Sequence, residues 1–154
     1  MTKPPPLQLQ WMTGAPPPEV DEAAVRAALR TFLDRLGFVA SSLSLLVGDD
    51  ETLAELNATH RGLHRTTDIL SWSYLAPDDP APALLGDLAV SWPRVVAQAA
   101  EHGWDAQTEL LRLLAHGCAH LIGMDHQTPA EDAAMREVEE QLLAAVGLTG
   151  LYPA

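Results

Sequence analysis

One run constrains the fold more than any other: His116-Gly117-Cys118-Ala119-His120-Leu121-Ile122-Gly123-Met124-Asp125-His126. His116 and His120 are one turn apart, so in a helix their imidazoles leave the same face about 6 Å apart along the axis. Gly123 is the natural stop of that helix, and His126, three residues later, can swing back toward the same face. Three neutral nitrogens then converge and leave a fourth tetrahedral position for water, which is how catalytic zinc sites are built. The chain must therefore place a helix ending at Gly123 beside a loop that returns to it.

Taken singly, each histidine reads most simply as a packed or surface residue of an apolar helix. Three of the six histidines at this spacing, with a helix-breaking glycine between the second and third, point to a metal instead. Cys118 stands two positions from each helical histidine and so points to the opposite side, as a small buried hydrophobe would. Asp125 has two readings, a carboxylate that orients an imidazole or a turn residue. No fourth protein ligand is evident. The spacing matches the metzincin peptidase pattern except at its second position, where Gly117 replaces the glutamate that serves as general base. A metal cage without that proton acceptor argues for a different hydrolysis, and a zinc peptidase-like enzyme is the alternative.

The rest of the composition fits one compact domain spanning 1–154, with the first few residues flexible. At 154 residues the chain can bury roughly 68–70% of its unfolded surface. Its 47% hydrophobic and 19% charged residues exclude disorder throughout. Aspartate and glutamate outnumber lysine and arginine 21 to 9, giving a net charge of −12, and Lys3 is the only lysine. Such a field repels polyanions, so a nucleic-acid substrate would need a local basic cluster, a metal or a partner particle. The single cysteine and an N-terminus without an apolar leader point to the cytoplasm. The most hydrophobic segment, Leu110 to Ile122, is too short to span a bilayer, and no membrane role is expected.

Along the chain, Leu7 to Trp11 alternates as a strand does, and Pro16-Pro17-Pro18 ends it. Val25, Leu29, Phe32, Leu33 and Leu36 predict a helix from about Glu19 to Gly37. Leu43 to Val47 reads as a buried strand, followed by a helix from about Glu51 to Thr59 that Gly62 ends. Ile69 to Leu75 and Leu85 to Trp92 read as neighbouring strands on either side of a proline-rich loop. Pro93 opens a helix up to Gly103, Asp105 caps another to about Ile122, and Thr128-Pro129-Ala130-Glu131 is a capping box. Met135, Val138, Leu142 and Val146 form the buried stripe of the last helix, whose Glu131, Asp132, Glu137, Glu139 and Glu140 read as a solvated face. About four strands and five helices without regular βαβ alternation predict an α+β fold with a small mixed sheet.

His60-Arg61-Gly62-Leu63-His64-Arg65 is the one notable cationic cluster, on the loop after the second helix. In so acidic a chain it is the natural landing place for a phosphate. Arg61 is the foremost candidate, because guanidinium holds two phosphate oxygens and stabilises charge that grows during displacement. Arg65 is a further substrate-binding candidate, although both arginines could simply decorate a helix C-terminus. His60 and His64 share helical spacing, but Gly62 between them and the lack of a third nearby ligand count against a second metal pair.

The His116 to His126 stretch resembles the H-G-x-x-H-L-x-G-x-D-H signature of the YbeY family, bacterial endoribonucleases of ribosomal-RNA maturation. Leu56-Asn57, Arg61-Gly62, Thr67-Asp68-Ile69-Leu70-Ser71-Trp72 and Leu85-Gly86-Asp87-Leu88 resemble the family's other landmarks in the same order, over about residues 49 to 146. Thr66, Trp72, Ala119 and Met124 depart from the usual pattern, and none of these removes a ligand. The resemblance implies a single-strand-specific, Zn2+-dependent endoribonuclease acting in rRNA maturation, including the 16S rRNA 3′ end, and in ribosome quality control. It implies one Zn2+ held by His116, His120 and His126, with His116 and Arg61 counted as catalytic and Arg61 on the scissile phosphate. The expected partners are rRNA and ribosomal subunits rather than DNA, with a ribosome-associated protein as a source of affinity. The competing expectation is a ribosome-associated zinc factor with little catalysis of its own.

Overall fold

The computed structural model describes residues 5–61 and 68–152, with His60 and Arg61 described in backbone only. The expected flexible N-terminal residues 1–4 lie outside that range. Nine elements follow in order: β1 (Gln8–Trp11), α1 (Glu22–Arg35), β2 (Ser42–Gly48), α2 (Asp50–Arg61), β3 (Ile69–Ser73), β4 (Leu84–Ser91), α3 (Trp92–His102), α4 (Ala106–Leu121) and α5 (Pro129–Ala145). The fold is α+β, with one mixed sheet ordered β1-β2-β4-β3. β1 and β2 run parallel, as do β2 and β4, while β3 pairs antiparallel with β4 at the edge. β1, α1 and β2 thus form one parallel crossover unit.

Local chemistry explains most boundaries. α1 begins at Glu22 rather than near Glu19, because Pro17 to Val20 form a turn closed by Val20 N–H on the Pro17 carbonyl at 3.0 Å. Asp21 then caps the helix by accepting from Ala24 N–H, with Val20 and Val25 buried on either side of the cap. α2 extends two residues beyond the expected Thr59, so the Arg61 backbone closes the helix instead of lying in the following loop. Nothing before Gly62 breaks it. β4 ends at Ser91, one residue earlier than expected, because Ser91 is an N-cap and Trp92-Pro93 already belong to α3.

Strand alternation divides the molecule into two packed layers around the sheet. Leu43, Leu45, Val47, Leu88 and Val90 face a core shared with Leu29 and Phe32 of α1, Leu110 and Leu114 of α4 and Leu142 of α5. On the other face Leu70 and Ala89 pack with Leu53 of α2, and Leu46, Leu56 and Trp72 border them. Among the described residues no helix is long and apolar enough to cross a membrane.

Gly86 sets how closely α4 approaches the sheet. A Cβ there would collide with the Trp72 carbonyl oxygen and lie 2.5 Å from Leu121 Cδ2, just ahead of the histidine loop. Gly86→Ala is accordingly expected to cost about 1–3 kcal/mol. That loss would be read as a lowered denaturant midpoint at unchanged slope.

Candidate metal centre

α4 presents the histidine pair because it is pinned everywhere else. Asp105 caps its start by accepting from Thr108 N–H at 2.7 Å, and Leu110, Leu113, Leu114 and Leu121 bury its apolar stripe. Between the histidines, Gly117, Cys118 and Ala119 are all buried. A Cβ on Gly117 would come within 2.8 Å of Ile69 Cδ1 and 2.9 Å of Leu88 Cδ2. A glutamate at 117 would therefore be driven into the sheet, and the departure from the peptidase pattern is built into the packing. Cys118 is fully buried, and burial pushes its thiol up to about 12, which makes it an inert hydrophobe as expected.

The helix end aims the second imidazole. Gly123 adopts φ 95°, its N–H bonds the His120 carbonyl at 2.9 Å and Met124 N–H bonds the Ala119 carbonyl at 3.1 Å. This is a Schellman closure, and it folds the chain back so that the Met124 carbonyl lies 2.9 Å from His120 Nδ1. A carbonyl can only accept, so Nδ1 carries the proton and Nε2 keeps its lone pair. Burial, joined by the neighbouring His116 ring, holds the His120 imidazole below the usual histidine range. The neutral, ligand-competent form is the one this site favours.

His116 is fixed by a residue whose role the sequence pattern did not indicate. Glu139 belongs to the acidic run expected to be a solvated face, yet it is only 6% exposed, and its Oε2 lies 3.2 Å from His116 Nδ1. That expectation is corrected for Glu139: it occupies a slot in the buried stripe, four residues after Met135 and three before Leu142. This spacing is the signal that could have found it. Burial alone would raise the Glu139 carboxyl, but hydrogen bonds from His116 and Tyr152 outweigh it and hold the group below the ordinary glutamate range.

With both Nδ1 positions directed at acceptors, His116 Nε2 and His120 Nε2 face each other 3.1 Å apart. With both rings in the neutral Nδ1–H form, two lone pairs meet at that distance and suit a common cation. The exposed His126 completes the cluster, and the three offered nitrogens lie within 4.8 Å of one another. The donor set of three imidazoles fits zinc. Asp125 takes the turn role, accepting the His126 backbone N–H at 2.8 Å. The cluster opens into a groove of about 940 Å³, whose walls include Asp68, Ser71, Ser73, Asp125 and Asp132. The Arg61 side chain and all of Arg65 and His64, and with them the expected phosphate contacts and the His60–His64 pair, lie outside the described residues.

Comparison with known proteins identifies the family and the fold. The family described as Endoribonuclease YbeY matches residues 16–147. Endoribonuclease YbeY of Roseiflexus castenholzii is 46% identical over 135 residues, covering 83% of this chain and 82% of the relative. The protein of the same description from Symbiobacterium thermophilum is 46% identical over 114 residues, or 70% and 73% of the two chains. A Thermotoga maritima protein of known solution structure shares the fold, with a TM-score of 0.56 at 18% identity over 90% of this chain and 91% of that one. On the extent of the family match and the identity to these relatives, the chain belongs to the YbeY family.

Proposed function

We propose that this chain is a zinc-dependent, single-strand-specific endoribonuclease of rRNA maturation, acting in the cytoplasm on the 16S rRNA 3′ end and in ribosome quality control. The observation that carries the reading is the facing Nε2 atoms of His116 and His120 beside an open groove. His116, His120 and His126 would hold the ion. When bound, zinc supplies Lewis acidity and an activated water near neutral pH. Glu139 and the Met124 carbonyl keep two of the imidazoles turned toward it. Arg61 grips the scissile phosphate and offsets the charge that grows on it, and Arg65 binds a flanking phosphate.

The groove itself favours selectivity over affinity. Asp68, Asp125 and Asp132 line it, and the whole chain carries −12, so free RNA is repelled except where a cation offsets the field. That charge also favours a ribosomal particle, with a protein on it, as the source of binding energy. The same observation supports a second reading, a ribosome-bound zinc factor with little catalysis. Co-sedimentation with ribosomal subunits by protein that cuts no RNA would select that second reading.

The test is cleavage of an end-labelled single-stranded rRNA fragment by zinc-loaded protein, with chelated protein run beside it. Cutting should appear only in the loaded sample, and equal cutting by both would overturn the metal-dependent reading. Arg61→Ala is expected to keep its zinc and lose about 10²–10³ in turnover. An Arg61→Ala enzyme of full activity would remove this arginine from the mechanism.

A further inference from the structure

The segment after α5 returns to the metal centre. Gly147 adopts φ 84°, its N–H bonds the Ala144 carbonyl at 3.1 Å, and Leu148 N–H bonds the Leu143 carbonyl at 2.9 Å. This second Schellman closure reverses the chain, and Leu148, Leu151 and Tyr152 pack against the main core. Tyr152 then donates its hydroxyl to Glu139 Oε1 at 2.6 Å, while Glu139 Oε2 faces His116 Nδ1. The Arg136 guanidinium lies over the Tyr152 ring, 5.2 Å from its centre.

We infer that Tyr152 is a positioning residue for His116, acting through Glu139 so that the C-terminal segment sets the tautomer and hence the readiness of that imidazole to bind metal. The argument is one of available atoms. A carboxylate torsion is broad, so the carboxylate alone can turn away from the imidazole. The Tyr152 hydroxyl occupies Oε1 and leaves Oε2 as the acceptor that His116 Nδ1–H requires. Arg112, whose charge acts on both Glu139 and Tyr152, is the competing partner if that hydroxyl is lost. Outer partners of this kind typically change metal affinity 10–100-fold. The inference rests on the proposed metal reading of the three histidines.

The experiment uses the full chain and two readouts. Zinc affinity is measured by competition with a chromophoric chelator for the unmodified chain, Tyr152→Phe, Glu139→Met and the double variant. The His116 tautomer is read on metal-free protein from the nitrogen shifts of ¹⁵N-labelled histidine. Tyr152→Phe keeps the ring, its packing and the Arg136 contact, so the fold is expected to persist. Its zinc affinity should fall about tenfold, with His116 losing its preference for the Nδ1–H form. In the Glu139→Met background the same change should add nothing. Unchanged affinity and tautomer in Tyr152→Phe would overturn the inference, as would an equal loss with and without Glu139. If the unmodified chain takes up no zinc, the metal reading fails by itself. The tautomer readout then still decides whether Tyr152 acts on His116.

Discussion

His120→Ala is expected to abolish zinc retention and RNA cleavage together while leaving the fold in place. Like His116, His120 has both ring nitrogens committed, Nδ1 to the Met124 carbonyl and Nε2 toward His116. Alanine leaves His116 and the exposed His126, and two imidazoles make a poor zinc site. The fold cost is small, roughly 1 kcal/mol for the lost hydrogen bond, because the Gly123 and Met124 backbone closure does not use the side chain. Metal content after dialysis should drop to background, and cleavage should match the chelated control. Retention of full activity would remove the histidine cluster from the mechanism. Acid should strip the metal from the unmodified chain as well, since a proton and the ion compete for the same lone pair. Because burial and His116 depress the His120 pKa, this ligand resists that competition to lower pH than an ordinary histidine.

Glu109→Ala should produce the largest loss of stability, about 3 kcal/mol. Glu109 is fully buried in α4, accepting from Arg112 Nε at 2.9 Å and Nη2 at 2.6 Å and from Trp104 Nε1 at 2.9 Å. Removing the carboxylate takes the main partner from a guanidinium that is itself only 19% exposed and leaves it the weaker interaction with Tyr152. Burial opposes that charge, and the bonds to Glu109 are what raise the Arg112 pKa instead. Replacing both partners by leucine should recover part of the loss, because no guanidinium is then left without its carboxylate, while the Trp104 indole N–H still lacks its acceptor. Denaturant midpoints of the single and double variants decide it, and a single-variant loss below about 1 kcal/mol would contradict the account. The freed Arg112 would also pull on Glu139, so zinc affinity should weaken in Glu109→Ala and return in the double variant.

Much of this molecule is legible in its sequence, for reasons of short range. Asp105 and the Thr128–Glu131 box start helices through bonds to residues three positions away. Gly103 and Gly123 mark helix ends because only glycine enters the left-handed region without strain. The facing histidines follow from helical spacing and one turn, which is why the cluster could be found without a structure. Glu139 was missed because a glutamate among four other acidic residues looks like a surface charge until its partner on α4 is known.

Sequence alone thus determined the elements, the Asp105 and Thr128 caps and the three histidines, all consequences of contacts within a few residues. Only the tertiary structure decided the strand order β1-β2-β4-β3, the fit of α4 over Gly86 and Gly117, and the Tyr152–Glu139–His116 chain. Each of these joins segments far apart in the chain, and their pairing depends on which buried faces and hydrogen-bonding groups satisfy one another at once.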